Sequence, residues 1–101
     1  VAEGTAGAPI TFTSAEPTPA PGDWKGILLA NDCVVADTVL DNVVVEYGGS
    51  NGYGNLRFLY CDGTVSDSTM SHSAAWGIYR QVASPTVSNI TYDSNALGDL
   101  Y

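Results

Sequence analysis

Acidic side chains are the most numerous groups in this sequence that could do chemistry. A calcium-dependent lyase gathers several carboxylates around the ion, and a glycosidase needs two carboxylates that flank the sugar bond. Here the aspartates are spread along the chain without the spacing of a local calcium loop. The sequence predicts that they form turns or face solvent, with no catalytic residue, no cofactor and no metal; calcium binding is the alternative. They are Asp23, Asp32, Asp37, Asp41, Asp62, Asp67, Asp93 and Asp99.

One carboxylate and the single imidazole come close together when the chain is aligned with itself. Glu46 and His72 fall one aligned position apart on what we expect to be adjacent coils. An acid–base site needs a third group or a nucleophile in reach, and neither is available in this alignment. We therefore expect a stacked surface pair and favour a chain without enzymatic activity over an enzyme.

Three further residues are candidates for carbohydrate binding. Arg57 and Tyr79 occupy equivalent positions and should both point outward, and Tyr53 lies at a nearby corner. Aromatic faces on a flat surface stack on sugar rings while their polar tips stay in water. Packing of these rings at a corner of the fold is the competing interpretation.

The two cysteines, Cys33 and Cys61, are 28 positions apart, which is close to the length of one coil. On adjacent coils their Cα atoms would lie within the distance that a disulfide spans. We predict a disulfide between them, the alternative being two separate buried thiols. One histidine and two cysteines are too few for a zinc site.

These residues need a scaffold, and a repeated eight-residue pattern predicts one. The stretch LDNVVVEY at 40–47 returns as VSDSTMSH at 65–72 and VSNITYDS at 87–94. Two apolar columns result, and both should point inward. They are Leu40, Val65 and Val87, and Val45, Met70 and Tyr92.

A polar column lies between the two apolar ones. It consists of Asn42, Asp67 and Asn89. Asn and Asp tolerate the left-handed backbone of a tight bend and bond to nearby peptide groups. We predict a structural ladder of these three residues stacked inside the turn. Asn89 also begins the glycosylation sequon 89–91, which we discount because an inward side chain leaves no room for a glycan.

The spacing of the repeats predicts a β-solenoid. Residues 56–72 and 78–94 align without a gap at an offset of 22. Repeats of this length, built from short strands with no helical pattern, form one coil each. We expect one all-β domain over 1–101 with three to four coils, and about four extra residues inserted within 28–39. Arg80 aligns with the inward Phe58, so it should lie near an open end or leave the pattern.

Charge and hydropathy exclude some partners. The chain carries eleven acidic and three basic residues, for a net charge of −8. Binding to nucleic acid or anionic lipid needs clustered Lys and Arg, which this sequence lacks. No apolar run approaches the roughly 18 residues that cross a bilayer. Both ends resemble mid-repeat sequence, so we expect an uncapped segment of a longer protein whose partners are adjoining repeats or stacked copies of itself.

The runs GTAGAPITFTS, APGDWKGI, LDNVVVEYGG and SPTVSNITYDSN together resemble the right-handed parallel β-helix repeats of large secreted bacterial surface proteins. The resemblance covers nearly the whole chain. It implies a right-handed solenoid of three sheets with a stacked apolar interior, exported from the cell. Such repeats occur in adhesion proteins and, more distantly, in polysaccharide-acting enzymes. The expected function is thus a noncatalytic structural or adhesive module, with a carbohydrate-binding module or a fragment of a polysaccharide lyase as alternatives.

Overall fold

Short strands account for nearly all the regular structure of the protein. The computed structural model describes residues 1–30 and 33–101, and the two residues left out, Asn31 and Asp32, belong to the segment where we expected an insertion. A single turn of 3-10 helix covers Val35–Asp37. The strands are β1 (Ala2–Glu3), β2 (Ile10–Phe12), β3 (Ile27–Leu29), β4 (Val39–Asp41), β5 (Val43–Glu46), β6 (Gly54–Leu59), β7 (Thr64–Ser71), β8 (Trp76–Gln81), β9 (Thr86–Asp93) and β10 (Gly98–Leu100).

The strands form two parallel sheets. Sheet I contains β1, β4, β7, β5, β2 and β9, and sheet II has the order β10-β8-β6-β3. The chain alternates between the sheets, so we number its passes as rungs: β1–β2, β3–β5, β6–β7 and β8–β9, with β10 opening a fifth. Each rung lies on the next at the ordinary strand spacing of about 4.8 Å.

The pairing follows the offsets read from the sequence. Val65 pairs with Leu40 on one side and with Val87 on the other, and Met70 pairs in the same way with Val45 and Tyr92. In sheet II, Leu56 pairs with Ile78 at the expected offset of 22. Both apolar columns are therefore confirmed as stacked positions.

The interior between the two sheets is filled by stacked columns of apolar side chains. Leu56, Phe58 and Ile78 from sheet II meet Val65 and Met70 from sheet I, and all five are fully buried. Alternate side chains of a strand point to opposite faces, which is why buried and partly exposed residues alternate along β5 and from Leu56 to Leu59 in β6. An all-β protein with parallel sheets around one core is the result.

Tight bends divide the rungs, and they fall in three columns of left-handed backbone. Asn42, Asp67 and Asn89 have φ between 48° and 52°. A second column contains Tyr47, His72 and Ser94, and a third contains Tyr60 and Val82. β7 and β9 continue through the first column and are paired on both sides of it, so the described residues form two sheets rather than the three that the resemblance implies, and sheet I bends at this column.

The side chains of the first bend column point outward, contrary to our expectation of an inward ladder. Asp67 and Asn89 are exposed and Asn42 is half-buried. A left-handed residue interrupts the alternation of the strand, so Val65 and Ser68 point inward while Asp67 between them faces solvent. The reason for discounting the sequon at Asn89 was therefore wrong.

The insertion and Arg80 lie where the alignment put them. The offset is 29 between β3 and β6 but 25 between β4 and β7, so the additional residues fall between Leu29 and Val39. Arg80 pairs in register with Phe58 yet is exposed, since it lies beside the last strand, where its Nε donates to the carbonyl of Tyr101 at 3.1 Å.

One glycine is required by the stacking itself. Gly26 has φ of 99°, and a Cβ there would overlap the carbonyl oxygen of Gly54 on the next rung. The backbone of the second rung can approach the third rung this closely only because position 26 has no side chain. The neighbouring Trp24 fixes the same corner by donating its Nε1–H to the carbonyl of Glu46 at 2.8 Å.

Candidate functional site

The described carboxylates do not converge. Asp23 accepts from the hydroxyl of Ser14, Asp62 from the amide of Ser84, and Asp41 from the hydroxyl of Ser66. Asp41, Asp93 and Asp99 lie in strands rather than in turns, and Asp32 is outside the described residues. Across the described part of the chain, no three His, Cys, Asp or Glu side chains are placed to hold a metal ion.

The imidazole of His72 lies against a phenol ring rather than a carboxylate. Its ring centroid is 5.0 Å from that of Tyr47, with the planes 21° apart. Both residues sit in the second bend column, while Glu46 pairs with Ser71 one position earlier. The Nδ1 atom of His72 is buried and has no partner within the described residues.

The three residues proposed for carbohydrate binding do come together, on the outer face of sheet II. The guanidinium carbon of Arg57 lies 3.5 Å from the centre of the Tyr53 ring, and Arg57 pairs in register with Tyr79. Tyr101 extends the row. We call these four residues, together with Trp76, the aromatic strip.

The rings of the aromatic strip cover one another's faces. Tyr79 stacks on Tyr101 with centroids 4.5 Å apart and planes within 6°, and Tyr53 meets Tyr79 edge to face at 5.1 Å. Tyr79 is thus enclosed between neighbours on the rungs before and after it. Burial is the main cause that raises the pKa of its phenol, followed by the charge of Tyr101. Tyr101 is 54% exposed, whereas Tyr53 and Tyr79 are half-buried, so the strip does not present a row of open ring faces.

The guanidinium group of Arg57 is fixed by contacts with neighbouring side chains. Its Nη2 donates to the side-chain oxygen of Gln81 at 2.6 Å, and its Nε is buried without a partner in the described part of the protein. A cation over an aromatic ring and one charge-assisted hydrogen bond fix the guanidinium on the sheet.

The bend column forms the floor of a second feature, an outward groove of about 420 Å³. The Nδ2 of Asn89 donates to the carboxylate of Asp67 one rung away. We call this cleft the polar groove. It is lined by Ala6, Asn42, Asp67, Ser68, Thr69, Asn89 and Thr91.

The predicted disulfide is present. Cys33 and Cys61 are joined across the second and third rungs, with Cα atoms 6.0 Å apart. Cys61 is only 2% exposed, so the bond is part of the core edge. It links the inserted segment, which precedes Val39, to the residues that follow β6 on the neighbouring rung.

Two kinds of residue were missed at the sequence level. Tyr101 completes the aromatic strip, and its position 22 residues after Tyr79 would have revealed it. Asn55 is fully buried, where its Oδ1 accepts from the amide of Gly48 and its Nδ2 donates to the carbonyl of Ser71, both at 2.8 Å. No sequence pattern marks Asn55, because its role depends on which loop passes beneath it.

The chain matches no protein-family model, no curated protein and no solved structure. No helix in the described ranges is long and apolar enough to cross a bilayer.

Proposed function

We propose that this chain is a noncatalytic structural and adhesive module, built as a right-handed parallel β-helix, of a protein displayed outside the cell. The observation that carries the proposal is the register of β6–β7 on β8–β9, in which every paired residue is 22 positions from its partner. Such a stack is a rigid rod whose length grows with the number of rungs.

The right-handed winding is supported by a general rule of parallel sheets. Parallel strands of one sheet that are joined by a crossover are right-handed in roughly 98% of cases. Each rung here leaves sheet II, passes through sheet I and returns to pair in parallel with its own predecessor. The twist of the strands favours the same hand for every rung.

Export is supported by the cysteine chemistry. Disulfides persist in oxidising compartments and are rare in reducing ones. The chain has two cysteines, and both form the disulfide between Cys33 and Cys61. A surface-exposed module would gain from this bond, because coils that contact only their neighbours are easily opened one at a time.

Contact with further repeats is supported by the free edge of β9. This eight-residue strand pairs with β7 on one side, and no described strand covers its other side. Unpaired N–H and C=O groups along a strand edge pair readily with another chain. Val87, Ile90 and Tyr92 on this edge are half-buried core positions that a further rung would cover. Its partner is an adjoining repeat or a second copy of the chain.

Light scattering over a range of protein concentrations tests this contact. We expect the mass of the wild-type protein to rise with concentration, and Ile90→Lys to stay monomeric because an inward charge blocks the edge. Ser88→Lys places the same charge on the outer face of the same strand and should still associate. A wild-type protein that is monomeric at every concentration would remove the support for stacking.

Carbohydrate binding by the aromatic strip is a second candidate, favoured by the meeting of Arg57, Tyr53 and Tyr79. A glycan array tests it with Tyr79→Ala, which breaks the row at its centre. Tyr60→Ala is the matched control, since Tyr60 is 57% exposed but belongs to the third bend column. Equal binding by both variants would exclude the strip as a sugar site.

A further inference from the structure

The polar groove exists because the first rung bends differently from the others. In the later rungs a single left-handed residue makes the bend, whereas between β1 and β2 the chain forms a loop over 4–9. The amides of Gly4 and Ile10 donate to the carbonyls of Asp41 and Asn42, so both ends of the loop are held on the second rung. Ala6, at the tip, becomes a wall at one end of the groove.

The floor of the groove is ordered by hydrogen bonds within the sheet. Asn89 donates its Nδ2 to Asp67, which leaves the Asn89 carbonyl oxygen and the second Asp67 oxygen as acceptors. The hydroxyl of Ser68 is already used, since it accepts from the amide of Val43 and donates to the carbonyl of Ser66. The site is preorganised by the fold rather than by a ligand.

One wall carries a row of hydroxyl groups. Thr69 and Thr91 pair in register on neighbouring rungs, so their side chains repeat at the strand spacing of about 4.8 Å. Val44 occupies the same column on the rung before them. Each threonine hydroxyl donates one hydrogen bond and accepts others, and Asn42 adds an amide with both functions.

The composition of the lining selects a class of ligand. Asp67 is the only charged group among the lining residues, which disfavours an anion, and one carboxylate already bonded to an amide is a poor cation site. No aromatic ring lines the groove, so stacking contributes nothing. Mixed donors and acceptors at a regular spacing suit an uncharged chain of hydroxyl groups.

We propose that the polar groove binds an uncharged oligosaccharide, laid along the stacking direction across the third and fourth rungs. The Asp67 carboxylate accepts hydrogen bonds from ligand hydroxyls, and Thr69 and Thr91 bind successive units. This inference gives the proposed adhesive role a ligand class and a site separate from the aromatic strip on sheet II.

A glycan array with neutral, uronate-containing and amino-sugar oligosaccharides, read with calcium and with EDTA, tests the proposal. We expect binding to neutral glycans in both buffers. The double variant Thr69→Val, Thr91→Val should lower the affinity about tenfold, because two hydrogen bonds are lost. Valine is tolerated in this column, as Val44 shows, so the fold should persist.

The matched control is Thr64→Val, Thr86→Val, which removes two paired hydroxyls from the same strands outside the groove. It should bind like the wild-type protein. Ala6→Phe fills the groove from the loop and should abolish binding without a change in either strand. Circular dichroism verifies that each variant is folded.

Several outcomes would overturn the proposal: no glycan bound, binding only to uronates or amino sugars, binding lost in EDTA, or equal loss in the control. If Tyr79→Ala loses binding while the Thr69→Val, Thr91→Val double variant keeps it, the sugar site is on the aromatic strip and not in the groove. None of these outcomes bears on the β-helix module itself, which the concentration dependence of the mass tests separately.

Discussion

Single residues make the corners of this fold, and some of them are poorly suited to the position. Left-handed backbone costs most residues roughly 1–2 kcal/mol, and a β-branched side chain is the least suitable type. Val82 has φ of 49° at the third bend column and is 69% exposed. Its side chain gains little burial in exchange for this strain.

Val82→Asn should therefore stabilise the protein, by about 1 kcal/mol, because asparagine tolerates left-handed backbone. Asn89→Val makes the reverse exchange at the first bend column and should destabilise by at least as much, since it also removes the hydrogen bond to Asp67. Urea denaturation of the two variants and the wild-type protein measures both changes. A Val82→Asn variant less stable than the wild type would contradict the assignment of strain.

The residue types predicted the first of the three bend columns and gave no sign of the other two. Asn42, Asp67 and Asn89 are residues that favour bends, so the first column followed from the sequence. Tyr60 and Val82 have no such preference, and the stacking of the rungs imposes their conformation. The inward direction expected for the first column was wrong because residue type carries no information about which face a bend exposes.

At the scale of elements, the disulfide between Cys33 and Cys61 joins two rungs across 28 positions. Closing a loop of this length restricts the unfolded chain and should contribute between about 3 and 4 kcal/mol in the chain-entropy model. Urea denaturation with and without reductant should show a loss of this size. The double variant Cys33→Ala, Cys61→Ala should be insensitive to reductant. Equal stability of the oxidised and reduced wild-type protein would contradict this.

The exposed loop over 15–23 is closed by one carboxylate. The hydroxyl of Ser14 donates to Asp23 at 2.6 Å and the amide of Ala20 donates at 2.9 Å. These two hydrogen bonds, that of Ser14 first, lower the pKa of Asp23 below its usual 3.8. Because the folded state favours the carboxylate, the stabilisation is complete above the ordinary pKa and is lost as the pH falls through the lowered one.

An NMR titration of the Asp23 carboxyl carbon measures this directly. We expect a midpoint below 3.8 in the wild-type protein and a return toward 3.8 in Ser14→Ala. Thr18→Ala changes an exposed residue of the same loop and should leave the midpoint where it was. Identical midpoints in the wild type and Ser14→Ala would show that the loop is not closed in solution.

Strand positions and register were largely predictable, and the two sheets were not. An offset of 22 aligns β6 with β8 and β7 with β9 because the core columns repeat with the rung. The short strands β1 and β2 pair with β4 and β5 at larger offsets, because the loops over 4–9 and 13–26 and the inserted residues between Leu29 and Val39 all lengthen the chain between partners. No repeat in the sequence reports such loop lengths.

Across the whole molecule, the two outer faces differ in charge. Arg57 lies on the outer face of sheet II, whereas none of the exposed residues of β9 in sheet I is basic: Thr86, Ser88, Asn89, Thr91 and Asp93. Copies of a chain with a net charge of −8 repel one another over most of their surface. The unpaired N–H and C=O groups along the free edge of β9 offer a backbone contact that offsets this repulsion. Association along the stacking direction is therefore expected over lateral association.

The claim on which this account depends is that successive rungs lie directly on one another in parallel. Nuclear Overhauser effects in isotopically labelled protein test it between β7 and β9. We expect a continuous series of backbone contacts in which each residue of 64–71 meets the residue 22 positions later. A series in which the partner number falls as the residue number rises would demonstrate antiparallel hairpins, and the account would be wrong.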